Sequence, residues 1–107
     1  MSDRGGVLDL RTYKLRPGAG EQFGRILDDD VLPMLDRFGI EVVAHGPSLD
    51  DADTYYLVRR FGSISKRNER LDTFYGSEEW RRQQRERVLA LIDSFHVLLL
   101  PAASAPV

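Results

Sequence analysis

Residues 7–15 read Val7-Leu8-Asp9-Leu10-Arg11-Thr12-Tyr13-Lys14-Leu15. Leu8, Leu10, Thr12 and Lys14 alternate with Asp9, Arg11, Tyr13 and Leu15. A period of two is the signature of a strand with two different faces. Arg16-Pro17-Gly18 ends it as a turn. A second stretch of this kind is Thr54 to Phe61, TYYLVRRF. It sets Tyr55, Leu57, Arg59 and Phe61 on one face and Tyr56, Val58 and Arg60 on the other.

Working outward, Glu21 to Phe38 carries Phe23, Ile26, Leu27, Val31, Leu32, Met34, Leu35 and Phe38 near helical spacing. Pro33 lacks a donor and clashes with the preceding turn, so a kink or break is expected there, with Asp30 capping a second piece. Asp28-Asp29-Asp30 reads as a solvated stretch, because adjacent helical carboxylates diverge. Gly39 is placed as a C-terminal cap. Ile40 to Gly46 (IEVVAHG) is a second strand, joined by the Pro47–Asp53 turn to the Thr54–Phe61 strand. Ser63 or Ser65 opens a helix carrying Ile64, Leu71 and Phe74. Tyr75-Gly76-Ser77 interrupts it. Ser77, followed by Glu78 and Glu79, starts another helix that runs to about Ile92. That helix is expected to bury Trp80, Gln84, Val88, Leu91 and Ile92. Ser94 to Leu100 (SFHVLLL) is a last strand with little alternation, so both its faces are expected to be covered. Residues 101–107 read as a mobile tail.

The order β-α-β-β-α-(α)-β predicts an α+β fold. It is the ferredoxin-like four-stranded antiparallel sheet with helices on one face. One domain spans 1–107, with its core at about 7–100. The other sheet face keeps Leu8, Leu10, Val42, Val58, Leu98 and Leu100. An apolar face of that kind is an association surface, and a twofold homodimer joined sheet to sheet is the simplest way to cover it.

Composition sets the outer limits. A chain of 107 residues with 42% hydrophobic and 30% charged residues can build one two-layer core. It contains no cysteine, which excludes disulfides, thiol nucleophiles and thiolate zinc sites. Residues 1–58 hold 6 Lys+Arg against 11 Asp+Glu, and residues 59–107 hold 9 against 6. The sum of −2 gives no general nucleic-acid footprint. The split reflects either which helices are exposed or an acidic face meeting a basic one. No apolar run is long enough to span a bilayer, and Met1 to Gly6 shows no signal-peptide core. A soluble cytoplasmic protein without nucleic-acid or membrane partners is expected.

Leu8-Asp9-Leu10-Arg11-Thr12-Tyr13-Lys14-Leu15-Arg16-Pro17-Gly18 resembles the opening "LRTY.L.PG" of the NIPSNAP family. Arg60-Phe61, Ser63, Arg67, Phe74-Tyr75 and Trp80 extend the resemblance. Arg37-Phe38-Gly39-Ile40 and Ser94-Phe95-His96 agree more loosely. The resemblance implies the dimeric α/β-barrel superfamily, in which two ferredoxin-like chains join their sheets into one barrel. That superfamily includes cofactor-free monooxygenases, polyketide cyclases, haem-degrading enzymes, chlorite dismutases and stress proteins, so it does not fix an activity. The chain departs from the family on its third strand. Leu57 and Arg59 stand where a His and a Trp are common, which argues against a histidine-centred proton transfer there.

The candidate chemistry rests on few residues. Arg11 and Tyr13 share a strand face with Asp9, and Tyr55 shares one with Arg59. If the two faces coincide, they form a polar cluster. It is either a buried structural network, with Arg11 paired to Asp9 or another acid, or a binding site for a carboxylate, phenolate or enolate. An arginine there could also stabilise a developing oxyanion. His45 and His96 are the only histidines and the natural proton carriers. Each is otherwise a satisfied strand residue, and no metal-ligand spacing exists. Phe74, Tyr75 and Trp80 either wall an aromatic pocket or are ordinary core. No phosphate loop or Ser-His-Asp context is present. The resulting expectation is a NIPSNAP-like homodimer that binds an apolar or aromatic small molecule. It would act as a cofactor-free monooxygenase or isomerase-like enzyme, or else as a non-catalytic binding or stress-response protein. His96 and Arg11 are the catalytic candidates. Tyr13, His45, Tyr55, Arg59, Tyr75 and Trp80 are the ligand-binding ones. No cofactor or metal is called for.

Overall fold

The computed structural model describes residues 6–102. Strand β1 (Val7–Leu15) leads into a helical run, α1. This run comprises Gly20–Ile26, a wide π-helical turn at Leu27–Val31, and Leu32–Arg37. Strands β2 (Glu41–Pro47) and β3 (Thr54–Phe61) follow. Helix α2 (Ile64–Gly76) is succeeded by a second π turn, Trp80–Gln84, that continues into Arg85–Leu89. The run from 78 to 89 is α3. Strand β4 (Ile92–Pro101) closes the chain. The sheet order is β2-β3-β1-β4, with every pair antiparallel. This is the ferredoxin-like α+β arrangement.

Period-two alternation decides which residues meet the helices. On β1 the helix-facing side carries Asp9, Tyr13 and Leu15, all buried. On β3 it carries Tyr55, Leu57, Arg59 and Phe61, also buried. The register sets Asp9 opposite Arg59, Arg11 opposite Leu57 and Tyr13 opposite Tyr55. Phe23 of α1 packs on both tyrosines, with ring centroids 5.2 Å from each. Leu27, Val31, Met34 and Leu35 extend this core along α1, while Leu71, Phe74, Trp80 and Val88 supply it from α2 and α3.

The helix starts obey their side chains. Ser63 Oγ accepts from the Lys66 backbone N–H at 3.0 Å. Ser77 Oγ accepts from the Trp80 N–H at 3.2 Å and donates to the Phe74 carbonyl at 2.7 Å. The expected break at Pro33 is instead a widening one turn upstream. The Leu32 N–H reaches back to the Leu27 carbonyl, five residues away. A wider turn accommodates the proline ring and its missing donor without ending the helix. Asp30 therefore caps nothing; it pairs with Arg87 of α3.

Three other expectations need correction. Helix α3 stops at Leu89, and Ile92 already belongs to β4, because Arg16 N–H takes the Leu91 carbonyl and draws the chain back beside β1. Pro101 pairs with Val7, and the Ala102 N–H donates to Gly6, so the sheet reaches into the expected tail. Residues 103–107 lie outside the described residues. Val42 sits opposite Arg59, which puts it on the helix-facing side rather than the outer one. A bulge at Val43 shifts the β2 register immediately afterwards.

Strand β4 is an edge strand packed on β1. It is apolar on both sides and covered on neither. Phe95 and Val97 are exposed on the helix-facing side, Leu98 and Leu100 on the outer side. Among the described residues no helix lies on the outer face, where Leu8, Leu10 and Val58 join the two β4 leucines.

The Gly20 turn is closely packed against Ala52 and Asp53. Asp53 clamps it by accepting from the Gly18 and Gly20 N–H groups at 3.0 and 3.3 Å. A Cβ on Gly20 would lie 2.1 Å from the Ala52 carbonyl oxygen. Gly20→Ala should therefore cost about 1–3 kcal/mol. Gly62→Ala, whose Cβ would meet nothing, should leave the urea midpoint nearly unchanged. Equal midpoints for the two variants would contradict the packing described.

Candidate functional site

Asp9 and Arg59 meet across the two central strands, and both side chains are 0% exposed. Arg59 Nη2 donates to Asp9 Oδ1 at 3.3 Å. Arg67 of α2 reaches down to donate its Nε–H to Asp9 Oδ2 at 2.9 Å. Arg11 Nε lies 3.8 Å from Asp9 Oδ1, close enough to pair in charge but without a hydrogen bond. One carboxylate thus faces three guanidinium groups.

Tyr75, on the last turn of α2, ties this cluster to the aromatic wall. Its hydroxyl oxygen accepts from Arg11 Nη1 at 3.2 Å and from Arg59 Nη1 at 3.1 Å. Its ring stands edge-on to Phe74 and Trp80, with centroids 5.0 and 5.1 Å away. The Arg11 guanidinium also lies over the Tyr75 and Phe95 rings, at 5.7 and 5.5 Å. Such cation–π contacts hold the guanidinium in place without saturating its N–H donors.

A cavity of about 310 Å³ opens beside this cluster. Arg11, Tyr13, Tyr75, Trp80, Val88 and Phe95 form most of its wall, with Arg85 also on it. A second, more open depression lies on the other side of Arg11, Tyr75 and Phe95, bordered by Arg67 and Asp72 of α2. The first cavity is apolar except for its donors, a composition that suits a small organic ligand.

The electrostatics follow burial and charge. Burial in the apolar wall pushes the Tyr13 phenol well above its ordinary value, and nearby Tyr75 adds to the shift, while Arg11 and Arg59 oppose it. Burial also raises Tyr55, with Asp28 contributing. For Arg59, burial works against the charged form, but Tyr75 and Asp9 outweigh it and the guanidinium is held more firmly protonated. Tyr13, Tyr55 and Arg59 therefore keep their protons at neutral pH.

Five of the eight candidate residues converge here: Arg11, Tyr13, Arg59, Tyr75 and Trp80. The other three do not. Tyr55 faces the same side but is packed under Phe23, away from the cavity wall. His45 sits opposite Leu57 on edge strand β2 and borders a separate depression with Leu32, Asp36 and Val42. His96 sits opposite Thr12, so its side chain belongs to the outer sheet face. Within one chain the sheet itself separates His96 from Arg11, and the two cannot act on one bound molecule. Arg67, Phe95 and Arg85 are site residues that strand periodicity could not single out. Arg67 and Phe95 enter the sequence reading through the family resemblance instead.

The architecture is that of a ferredoxin-like α+β domain, and several solved structures share it closely. A NIPSNAP-like domain protein from Burkholderia xenovorans, described as uncharacterized, aligns over 96% of this chain and 90% of its own at a TM-score of 0.85, with 14% identity. A NIPSNAP family protein with unknown function from Agrobacterium tumefaciens aligns over 91% and 87% at 0.81, with 19% identity. A candidate monooxygenase from Lactobacillus acidophilus aligns over 91% of this chain but only 44% of its own, at 0.72 and 15% identity. No protein-family profile and no curated protein sequence matches the chain. The chain has the NIPSNAP fold. Among the described residues no helix is long and apolar enough to cross a membrane.

Two tests bear on the cluster. Asp9→Asn leaves three guanidinium groups without their counter-charge and should destabilise the fold by about 3–5 kcal/mol. Arg67→Met should cost clearly less, because that side chain is 20% exposed. Urea unfolding compares them, and a smaller loss for Asp9→Asn than for Arg67→Met would contradict the arrangement. The tyrosines predict an alkaline limit. Their pKa values are raised in the fold, so above about pH 10 the unfolded chain gives up protons that the folded one keeps. The unfolded state then binds fewer protons, and stability falls as pH rises through that range. Tyr13→Phe should flatten this slope in unfolding titrations between about pH 9 and 11.

Proposed function

We propose that this chain binds a small apolar or aromatic acid, with its hydrocarbon part in the Trp80–Val88–Phe95 cavity and its anionic end on Arg11. The single observation behind this reading is the charge excess: one buried carboxylate against three guanidiniums, of which Arg11 reaches the wall of an otherwise apolar cavity. A purely structural network would be expected to come closer to neutrality, since buried charges persist only with partners. An anionic ligand would supply the missing counter-charge. Arg85 on the cavity wall favours approach of an anion on that side.

The geometry favours binding over proton-transfer catalysis. Both histidines lie outside the cavity, and burial holds the proton of Tyr13 inside it. An arginine so placed could stabilise an enolate, which keeps isomerase-like chemistry as the enzymatic form of the same reading. The likeness to a candidate monooxygenase is a likeness of fold and adds no residue to the site.

Trp80 is the only tryptophan in the chain and lines the cavity, so its emission should report occupancy. 4-Phenylbutanoate should alter Trp80 fluorescence saturably, and Arg11→Met should weaken binding about tenfold or more, as loss of a charge-assisted hydrogen bond does. No saturable change with any arylalkanoate, or equal affinity in Arg11→Met, would refute the reading.

We also propose that two copies pair through their outer sheet faces, burying Leu8, Leu10, Val58, Leu98 and Leu100 against each other. Support comes from a contiguous apolar face that no element among the described residues covers. Sedimentation at micromolar concentration should give twice the chain mass. Leu98→Asp should give the single-chain mass, because a charge buried at that face would lack a partner. A well-folded wild-type monomer would sink the proposal.

A further inference from the structure

We propose that Tyr75 sets the ligand class of this site by donating its hydroxyl proton to the ligand, restricting the polar end to an oxyanion that only accepts hydrogen bonds. The inference rests on the binding reading above and deepens it. A phenol oxygen has one proton to give and a limited capacity to accept. In Tyr75 that capacity is used twice, by the Nη1 groups of Arg11 and Arg59. Guanidinium groups never accept, so the Tyr75 proton cannot be returned to either of them. It must point elsewhere, and among the described residues no side chain or carbonyl takes it. Tyr75 lines the 310 Å³ cavity and the depression beyond it, which is where a ligand oxygen could receive the proton.

The rest of the polar wall has the same sign. Arg11 makes one side-chain hydrogen bond among the described residues, to Tyr75, and its buried Nε has no partner. Tyr13 lines the same cavity and stays protonated. The only carboxylate in the cluster, Asp9, is fully buried and already occupied by Arg59 and Arg67. The Arg11–Tyr75 end of the cavity therefore offers a ligand donors and no free acceptor. A carboxylate or enolate oxygen meets such a wall fully satisfied. An ammonium end would set donor against donor, and such mismatches discriminate more strongly than fit alone. Tyr75 is thus a specificity-determining residue whose hydroxyl is oriented by two arginines.

The test compares 4-phenylbutanoate with butylbenzene, which fills the cavity but has no polar end. Calorimetry on the wild type and on Tyr75→Phe should show carboxylate affinity falling about tenfold or more. Butylbenzene affinity should change by less than about twofold, since Phe keeps the ring. Wild-type protein carrying 13Cζ-tyrosine gives an independent reading that needs no variant to fold. The chain has 4 tyrosines, and the Tyr75 resonance should shift with 4-phenylbutanoate but not with butylbenzene. Unchanged carboxylate affinity in Tyr75→Phe, an equal loss for both probes, or a Tyr75 resonance indifferent to the carboxylate would overturn the inference alone. Failure of the wild type to bind either probe would instead overturn the binding reading, and this inference with it.

Discussion

The contact on which the rest of the molecule depends is the Asp9–Arg59 pair, fully buried where the two central strands cross-register. Taking both ions out of water carries a penalty of several kcal/mol each, recovered only when the geometry is good. That makes the register of β1 on β3 an all-or-none matter. A slip of one residue would turn Asp9 to the outer face and leave Arg59 buried beside Leu8 or Leu10, without an anion. The same slip would remove Tyr13 from Tyr55 and from Phe23. The ion pair thus fixes the alignment that the aromatic core also requires, and neither is free to move without the other.

From that anchor the cluster grows outward by charge. Asp9 has two oxygens, and Arg59 takes one while Arg67 takes the other. Arg11 arrives third and finds no carboxylate lone pair in hydrogen-bond range; it turns to the Tyr75 hydroxyl and to the faces of Tyr75 and Phe95. The site therefore has a graded structure. Its deep end is saturated and holds the sheet and α2 together. Its shallow end, at Arg11 and Tyr75, keeps donors unspent on the wall of a cavity. Stability and the proposed recognition draw on the same cluster but on different members of it.

This gradation explains what could be read from the sequence. The period-two pattern of VLDLRTYKL and TYYLVRRF put Asp9, Arg11 and Tyr13 on one face and Tyr55 and Arg59 on another. The ferredoxin-like order made those strands neighbours. Ser63 and Ser77 announced their helix starts through a local hydroxyl–amide bond that needs no tertiary context. The helical contributions were less legible. Whether Arg67 and Tyr75 face the sheet depends on the rotational phase of α2, and π turns in α1 and α3 shift such phases by amounts a 3.6-residue template does not contain. His96 failed as a site residue for a simpler reason. In SFHVLLL every residue but Ser94 is apolar or amphipathic, so the pattern carries no parity, and only pairing with Thr12 reveals which face the imidazole takes.

Parity also accounts for how one short strand can serve two surfaces. Along Leu8-Asp9-Leu10-Arg11 the apolar and charged residues alternate, so the outer face gains its leucines at the same positions in space where the inner face gains its charges. A partner chain seated on Leu8, Leu10 and Leu98 would lie behind the site rather than over it, separated by the thickness of one sheet. Such pairing would exclude water from the outer side of β1 and β3 and lower the dielectric around Asp9 and Arg59. Unpaired donors would then be more costly to leave empty. The proposed dimer and the proposed ligand would in this way strengthen each other, with no residue common to both surfaces. The coupling would run through the buried ion pair that lies between them.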